Sequence, residues 1–544
     1  MRLFRSPRVI LLPLLVLSLC AASRSCPDRS TPCVGDTRGG SYLWAKQIGG
    51  DERDWASGVA AFPDGSCVVV GEYEVAAAFA TGEPSETTIA SLDYCDMFIA
   101  AYDPDGNLKW VKHARAEGYY EASFVDALDD GSSLVACRFA ASEPLGEVHE
   151  DDTLLTLPDE GNPILVKLDA DGALLWTAHV TGEDFYLDGM SAAPDGSCVL
   201  IGGAPGSVTF GEDESAETTL GKKIVDFSDF YTWTAFVAKY NHDGTLAWVR
   251  SVETEPPPGM IQGVSVAPGG SCFVSGRFVG SATFGLGEPN ETQLRESNVG
   301  LNTEGDIFVA KYNPNGSLNW AKNARSRAWR WGEEAACGVS AAPDGGCFVT
   351  GLLHDGRTTF GADEPNSTTL TVDRWVWWGS FFVARYGPDG QLLWATKADN
   401  ASGNAVAAIS DGSCIVAGTF SRDCVRFEAV TGQPISVSRA HQLGNEGWRT
   451  TAFLVKYSKD GMPIWTKYID GGDPAPPYTD VVIANSRVAV IDVLSDGSCI
   501  AAGHFHDYAI FGFGETNALR IDVFGYDGPG SYTPDDAFVA KFPP

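Results

Sequence analysis

The sequence predicts an all-β fold, a seven-bladed β-propeller of four-stranded antiparallel blades, and three observations predict it. A tryptophan segment recurs seven times, as "YLWAKQI" at Trp44, "LKWVKHA" at Trp110, "LLWTAHV" at Trp176, "LAWVRSV" at Trp248, "LNWAKNA" at Trp320, "LLWATKA" at Trp394 and "PIWTKYI" at Trp465. Short alternating strands and turns fill each interval in the same order. The pieces also come out even only if the first tryptophan segment belongs to the last unit. Steps of 66 to 74 residues between tryptophans mark a repeat architecture, which overrides any division into unrelated domains.

Residues 263–320 justify each element in turn. "GVSVA" alternates as a strand, "PGGS" turns, "CFVSGRF" is a second strand, a variable stretch follows, "DIFVAKYN" is a third strand, "NPNG" turns, and "SLNWAKN" is a fourth. Four antiparallel strands repeated radially make a propeller blade. The last "DGSC", ending at Cys499, is followed by "DAFVAKF" from Asp536 to Phe542 and by no fourth strand, whereas "SYLWAKQ" from Ser41 lacks the three strands that should precede it. The N-terminal strand is therefore expected to complete the last blade and close the ring, which removes exposed sheet edges. The expected layout is a signal peptide over 1–23, a linker over 24–40 and one monomeric propeller over 41–544.

With "GVSAAPDGGCFVTG", "TTFG" and "FFVARYGPDGQLLWATKA" in view, the chain resembles the seven-bladed repeats of the bacterial SBBP type, across nearly its whole length after residue 40. The resemblance implies an exported propeller and no single activity. The spacing from Ala310 through Gly316 to Trp320 is also similar to the tryptophan-docking repeat of quinoprotein dehydrogenases, in which the indole of one blade packs on its neighbour's turn. Those propellers usually have eight blades. Here Tyr312 beside Asn313 stands in place of the docking Asp, and no adjacent pair of cysteines is present. No quinone or other cofactor is expected.

A formal charge of -33 excludes nucleic acid and anionic membranes as natural partners, since Lys and Arg must neutralise phosphates. Arg2, Arg5 and Arg8 precede an apolar run from Val9 to Leu19 and then small residues, the layout of a secretory signal. Two outcomes stay open there: lipidation of Cys20, although Leu19 sits where lipoproteins prefer a small residue, or cleavage near Ala22 or Ser23. Export leads to the periplasm, the cell surface or the medium. Cys67, Cys198, Cys272, Cys347, Cys414 and Cys499 recur where a strand opens and read as buried free thiols. Cys26 with Cys33 is the expected local bridge.

Candidate sites divide by the face on which they fall. The turns within strand pairs one–two and three–four are short and share a face. The long, variable connections share the other, and variable loops on a rigid scaffold are where binding usually resides. Eight tryptophans outside the docking set, Trp55, Trp233, Trp329, Trp331, Trp375, Trp377, Trp378 and Trp448, all lie in the long connections. The expected ligand site is Trp329, Arg330, Trp331, Arg374, Trp375, Trp377, Trp378 and Trp448, because indoles beside guanidinium groups suit stacking on a glycan or anchoring a protein. Indoles that only cover strand ends are the competing reading.

Metal and catalytic constellations are weaker. "DPDG" at Asp103, "DADG" at Asp169, "NHDG" at Asn241 and "GPDG" at Gly387 read as hairpin turns rather than calcium loops. Glu83, Glu214, Glu288, Glu364 and Glu515 each follow a phenylalanine by four residues. They read as solvated carboxylates, with calcium the alternative. His504 and His506 with Asp507 lack a third ligand and read as surface residues. The residue before each leading Gly-Val position, Ser57, Ser123, Asp188, Gln262, Cys337, Asn404 and Ala489, should ring the channel mouth with a single carboxylate, too few for the acid pair of a glycosidase. No catalytic residues are assigned. The function expected is an exported binding or scaffold module at the cell envelope; the alternatives are a polysaccharide hydrolase or lyase, and a purely structural surface protein.

Overall fold

Four strands, Met260–Val266, Cys272–Phe278, Asp306–Tyr312 and Leu318–Ala328, pair antiparallel in that order and show how the repeat is built. The computed structural model describes residues 41–114, 120–139, 162–182, 185–204, 206–221, 234–255, 260–297, 305–328, 334–354, 356–373, 379–421, 424–438, 450–471, 486–506, 508–513, 515–524 and 535–544. The chain is all-β there, a series of antiparallel sheets consistent with a propeller. Burial explains the sequence patterns. The two middle strands are covered on both faces and read as nearly continuous apolar runs, whereas Met260–Val266 has one covered face and alternates.

Each short turn is a tight loop closed by glycine. Gly270 and Gly316 sit at φ +77° and +82°, with Ala267 N donating to Ser271 O and Asn313 N to Ser317 O, both at 2.8 Å. Only glycine reaches that φ without steric cost. "DPDG" behaves the same way: Asp103 Oδ1 accepts from Asp105 N and Asn107 N at 2.9 and 2.8 Å, as the hairpin reading expects.

The variable stretch between strands two and three holds strands the sequence reading left out. Ser281–Phe284 and Thr292–Arg295 form a hairpin that pairs with the preceding repeat, Thr283 opposite Glu253. Equivalent hairpins at 208–220, 356–372 and 508–522 attach to Val180–Gly182, Arg325–Ala328 and Asp470–Gly471. Three to five residues of alternation are too few to stand out from a loop in sequence. A sheet thus extends from one repeat into the next at these four junctions, whereas Cys424–Phe427 and Ile435–Ser438 form a separate two-stranded sheet.

Trp44–Gly49 pairs with Asp535–Phe542, from Trp44 opposite Lys541 to Ile48 opposite Ala537. It is the fourth strand beside Ser486–Val493, Cys499–His506 and Asp535–Phe542, as expected for the N-terminal segment. Each first strand packs on the next through Asp54–Ala61, Tyr120–Ala127, Tyr186–Ala192, Met260–Val266, Ala335–Ala341, Ala401–Ala408 and Ser486–Val493, and the last of these also packs against Asp54–Ala61.

Candidate functional site

A cavity of about 260 Å³ lies between the seven first strands and is lined by part of each. Its polar lining comes from a local irregularity. Every first strand shifts register at one residue: at Ser57, Ser123, Asp188, Gln262, Cys337, Asn404 and Ala489. A β-bulge places an extra residue on one strand and re-aims its side chain. Ser57, Asp188, Gln262, Cys337, Asn404 and Ala489 are among the residues lining the cavity, so these members of the ring expected from the sequence are brought together, and the bulge is why.

A second level is set near the other end of these strands. Asp126 accepts from Ala192 N at 2.7 Å and Ala127 N at 2.9 Å. Asp492 accepts from Ala61 N at 2.8 Å and Val493 N at 2.7 Å. Serines take the same place in three other repeats, where Ser191, Ser265 and Ser340 accept from Val266 N, Ala341 N and Ala408 N at 2.9 to 3.0 Å. The two carboxylates are half-exposed toward the cavity but enclosed by protein. Desolvation pushes Asp126 up to about 7, with Asp492 opposing its ionisation. Asp492 is itself raised by burial. Through Oδ1 each carboxylate binds the next amide of its own strand, and through Oδ2 an amide of a neighbouring first strand, Ala192 for Asp126 and Ala61 for Asp492, a structural use of all four oxygens.

The recurring residues outside the cavity are also fasteners. Trp44, Trp110, Trp248, Trp320 and Trp394 donate from Nε1 to the carbonyls of Pro104, Ala170, Pro314, Pro388 and Lys459, each in the next repeat's turn, at 2.8 to 3.0 Å. The indoles cover the turn glycines so closely that a Cβ at Gly106, Gly316 or Gly390 would come within 2.7 Å of a ring carbon. The docking expected from the sequence is present. Trp465 departs from it: its buried Nε1 has no hydrogen-bond partner among the described residues.

The periodic glutamates correct the reading of solvated loop carboxylates. Oε2 of Glu214, Glu288 and Glu364 accepts from the amide that opens the fourth strand of its own repeat, Leu246, Leu318 and Leu392, at 2.6 to 2.7 Å. Oε1 of Glu288 and Glu364 meets Arg250 at 3.4 Å and Lys322 at 3.0 Å in the preceding repeat, and Glu83 pairs likewise with Lys46. The basic residue two places after the tryptophan and the glutamate four places after the phenylalanine are therefore halves of one inter-repeat stitch. We expect Glu364→Ala to destabilise the protein by about 1–3 kcal/mol, because it orphans the Leu392 amide, and Glu364→Gln by less than about 1 kcal/mol, because the amide acceptor survives. Urea unfolding of both variants measures this; equal losses would contradict it.

Other expectations resolve as follows. Cys67, Cys198, Cys272, Cys347, Cys414 and Cys499 are buried free thiols, as expected. Burial pushes Cys67, Cys272, Cys347 and Cys499 up to about 12, so they are inert apolar packing. Cys424 is disulfide-bonded, which its sequence position did not signal. His504 and His506 are not simple surface residues: burial lowers the pKa of His504, and His506 Nδ1 lies 2.9 Å from Asp535 Oδ1. Among the described residues, no group of three or more His, Cys, Asp or Glu side chains is arranged to hold a metal ion.

The eight predicted ligand residues, Trp329, Arg330, Trp331, Arg374, Trp375, Trp377, Trp378 and Trp448, lie outside the described residues, as do Trp233, Asp507, residues 1–40 and the Cys26–Cys33 pair. Trp55 is described, half-buried opposite Glu72 in the first strand pair.

No family model matches the chain. It is 23% identical over 517 residues to an uncharacterized WD repeat-containing protein of Acanthamoeba polyphaga mimivirus, covering 83% of this chain and 36% of that relative. The chain thus spans about a third of the relative's length. A solved protein of unknown function from Bacteroides caccae aligns at 11% identity and a TM-score of 0.27, over 56% of this chain and 89% of that one; at that score it carries no argument. The repeated antiparallel sheets and the WD-repeat relative together support a β-propeller-type repeat protein.

Proposed function

We propose that the chain is a seven-bladed propeller, closed by the pairing of Trp44–Gly49 with Asp535–Phe542, and that it serves as an exported binding or scaffold module at a cell envelope. The ligand class is a glycan or a protein, engaged through the long-connection face by Trp329, Arg330, Trp331, Arg374, Trp375, Trp377, Trp378 and Trp448. One observation carries this reading: the recurring tryptophans, glutamates and first-strand caps are consumed in fastening one repeat to the next. The residues left to distinguish a ligand are those in which the repeats differ, and the arginine-flanked tryptophans are the largest apolar groups among them. The resemblance to exported SBBP-type repeats and the signal-like N-terminus support the location, with Cys20 as a lipid anchor if that cysteine is the cleavage site.

The hydrolase or lyase alternative draws on Asp126 and Asp492 as an acid pair, and the full engagement of their oxygens by amides weighs against it. The test is a screen of the mature protein against polysaccharides and envelope fractions, beside a variant with Trp375, Trp377 and Trp378 changed to Ala. We expect the variant to lose about tenfold or more in affinity for any ligand found, equivalent to roughly 1.4 kcal/mol. Equal binding by both proteins would sink the tryptophan site, and turnover of a glycan would favour the enzyme.

A further inference from the structure

Cys424 is disulfide-bonded, and its partner follows by elimination. Every cysteine from Cys67 to Cys414, and Cys499 as well, is a free thiol. A disulfide needs a second sulfur, so the partner is Cys20, Cys26 or Cys33, all upstream of the first strand. Cys20 is spent on either proposed route of export, because cleavage near Ala22 removes it and lipidation occupies its sulfur. That exclusion rests on the proposed export; the bond itself does not.

Cys424 stands where its hairpin lacks another tie. Cys424–Phe427 and Ile435–Ser438 form a two-stranded sheet of their own, whereas the hairpins at 208–220, 281–295, 356–372 and 508–522 continue a ladder of the preceding repeat. Its hydrogen bonds to neighbouring strands gather near its turn. Glu428 N donates to Lys397 O at 3.1 Å, Thr396 Oγ1 to Glu428 O at 3.0 Å and Val430 N to Gly461 O at 3.0 Å. Cys424 faces Ser438 at the other, open end. It is half-buried, unlike the recurring cysteines sealed inside the sheets, so its sulfur can meet a segment that arrives from outside the hairpin.

We propose that Cys424 is joined to Cys26 or Cys33, so that the N-terminal segment is fixed twice: by the ladder of Trp44–Gly49 on Asp535–Phe542, and covalently to the outer hairpin of the preceding repeat. The bond takes the place of the missing ladder at the hairpin's open end. In forming it, the two thiols pass two electrons and two protons to an external disulfide, which is reduced to a pair of thiols. Such oxidants persist outside the cytosol, where export leads. The bond also closes a loop through most of the propeller, and a longer closed loop restricts the unfolded chain more. The expected bridge between Cys26 and Cys33 is then excluded, and the cysteine left over in the tail is a free thiol.

Peptide mapping of the exported full-length chain tests this. The protein is alkylated in denaturant without reductant and cut with trypsin, which separates Cys26 in 25–29 from Cys33 in 30–38 and releases Cys424 in 423–426. Mass spectrometry should find 423–426 linked to one of the two tail peptides and the other tail peptide alkylated. On the folded protein, reductant should speed amide exchange at Val425 and Val437, which face each other in the hairpin, by about tenfold or more. Alkylated Cys424, a link between 25–29 and 30–38, or a link from 423–426 to Cys20 overturns the proposal, as does hairpin exchange that reductant leaves unchanged. The first residue of the mature chain, read from the same digest, judges export separately: a retained signal segment overturns that reading even where the bond to Cys26 or Cys33 is found.

Discussion

Deleting the N-terminal strand, residues 41–49, is expected to abolish cooperative unfolding of the whole chain. The deletion removes Ile48, 0% exposed, and Trp44, 9% exposed, from the core, and strips Asp535–Phe542 of its ladder from Trp44–Lys541 to Ile48–Ala537. Burying two large side chains is worth roughly 1.5–3 kcal/mol each, and each buried amide or carbonyl left unpaired costs about 1–3 kcal/mol more. The sum exceeds about 5 kcal/mol, a large part of a typical protein's total stability. The deleted chain should bind a hydrophobic dye, elute as oligomers through its bare strand edge, and recover when a synthetic peptide of residues 41–49 is supplied in excess. An unfolding midpoint within error of the full chain would show that the pairing contributes nothing.

The second large effect should come from a single indole. Trp320 is 8% exposed, donates to Pro388 O at 2.9 Å and lies over Gly390. Trp320→Ala should cost about 3–5 kcal/mol, the usual range for emptying a buried aromatic site. Trp465→Ala should cost distinctly less, because Trp465 is half-buried and its Nε1 has no acceptor among the described residues. The comparison matters more than either value, since the two tryptophans share one sequence pattern. Equal losses in denaturant unfolding would mean that the turn beneath the ring contributes little.

Legibility in the sequence followed the period of each signal. The docking tryptophans, turn glycines and strand-opening cysteines repeat at fixed offsets, so their roles could be read before any coordinates. The ring of residues at the bulges could be placed as well, because it is tied to the leading Gly-Val position. What escaped was whatever depends on two elements at once. Glu288 looks like a solvated loop residue until the Leu318 amide and Arg250 are brought to it from different strands. The outer hairpins were missed because "SATF" and "TQLR" become strands by pairing with a neighbouring repeat. The buried acids Asp54 and Glu334, each three residues before the bulge of its first strand, escaped for the same reason, because their burial depends on what packs over them.

The candidate ligand residues were chosen for the opposite reason, that they do not recur. Trp329, Trp331, Trp375, Trp377 and Trp378 stand in long connections whose lengths differ between repeats. A pattern found once has no internal control, so sequence alone cannot separate a ligand platform from a strand cover. The triple tryptophan variant separates them by binding.

The pairing of Trp44 with Lys541 also carries a consequence in time. At synthesis rates of roughly 5–20 residues per second, the partner of the first strand is made on the order of 25–100 s after it. Through that interval the first strand can pair only at its far end, where Ile48 and Gly49 lie opposite Phe79 and Ala78. A chain halted anywhere earlier lacks the strand that would receive Trp44–Gly49. The pairing therefore joins two segments made far apart in time, and it cannot form until Asp535–Phe542 has followed everything between them out of the ribosome.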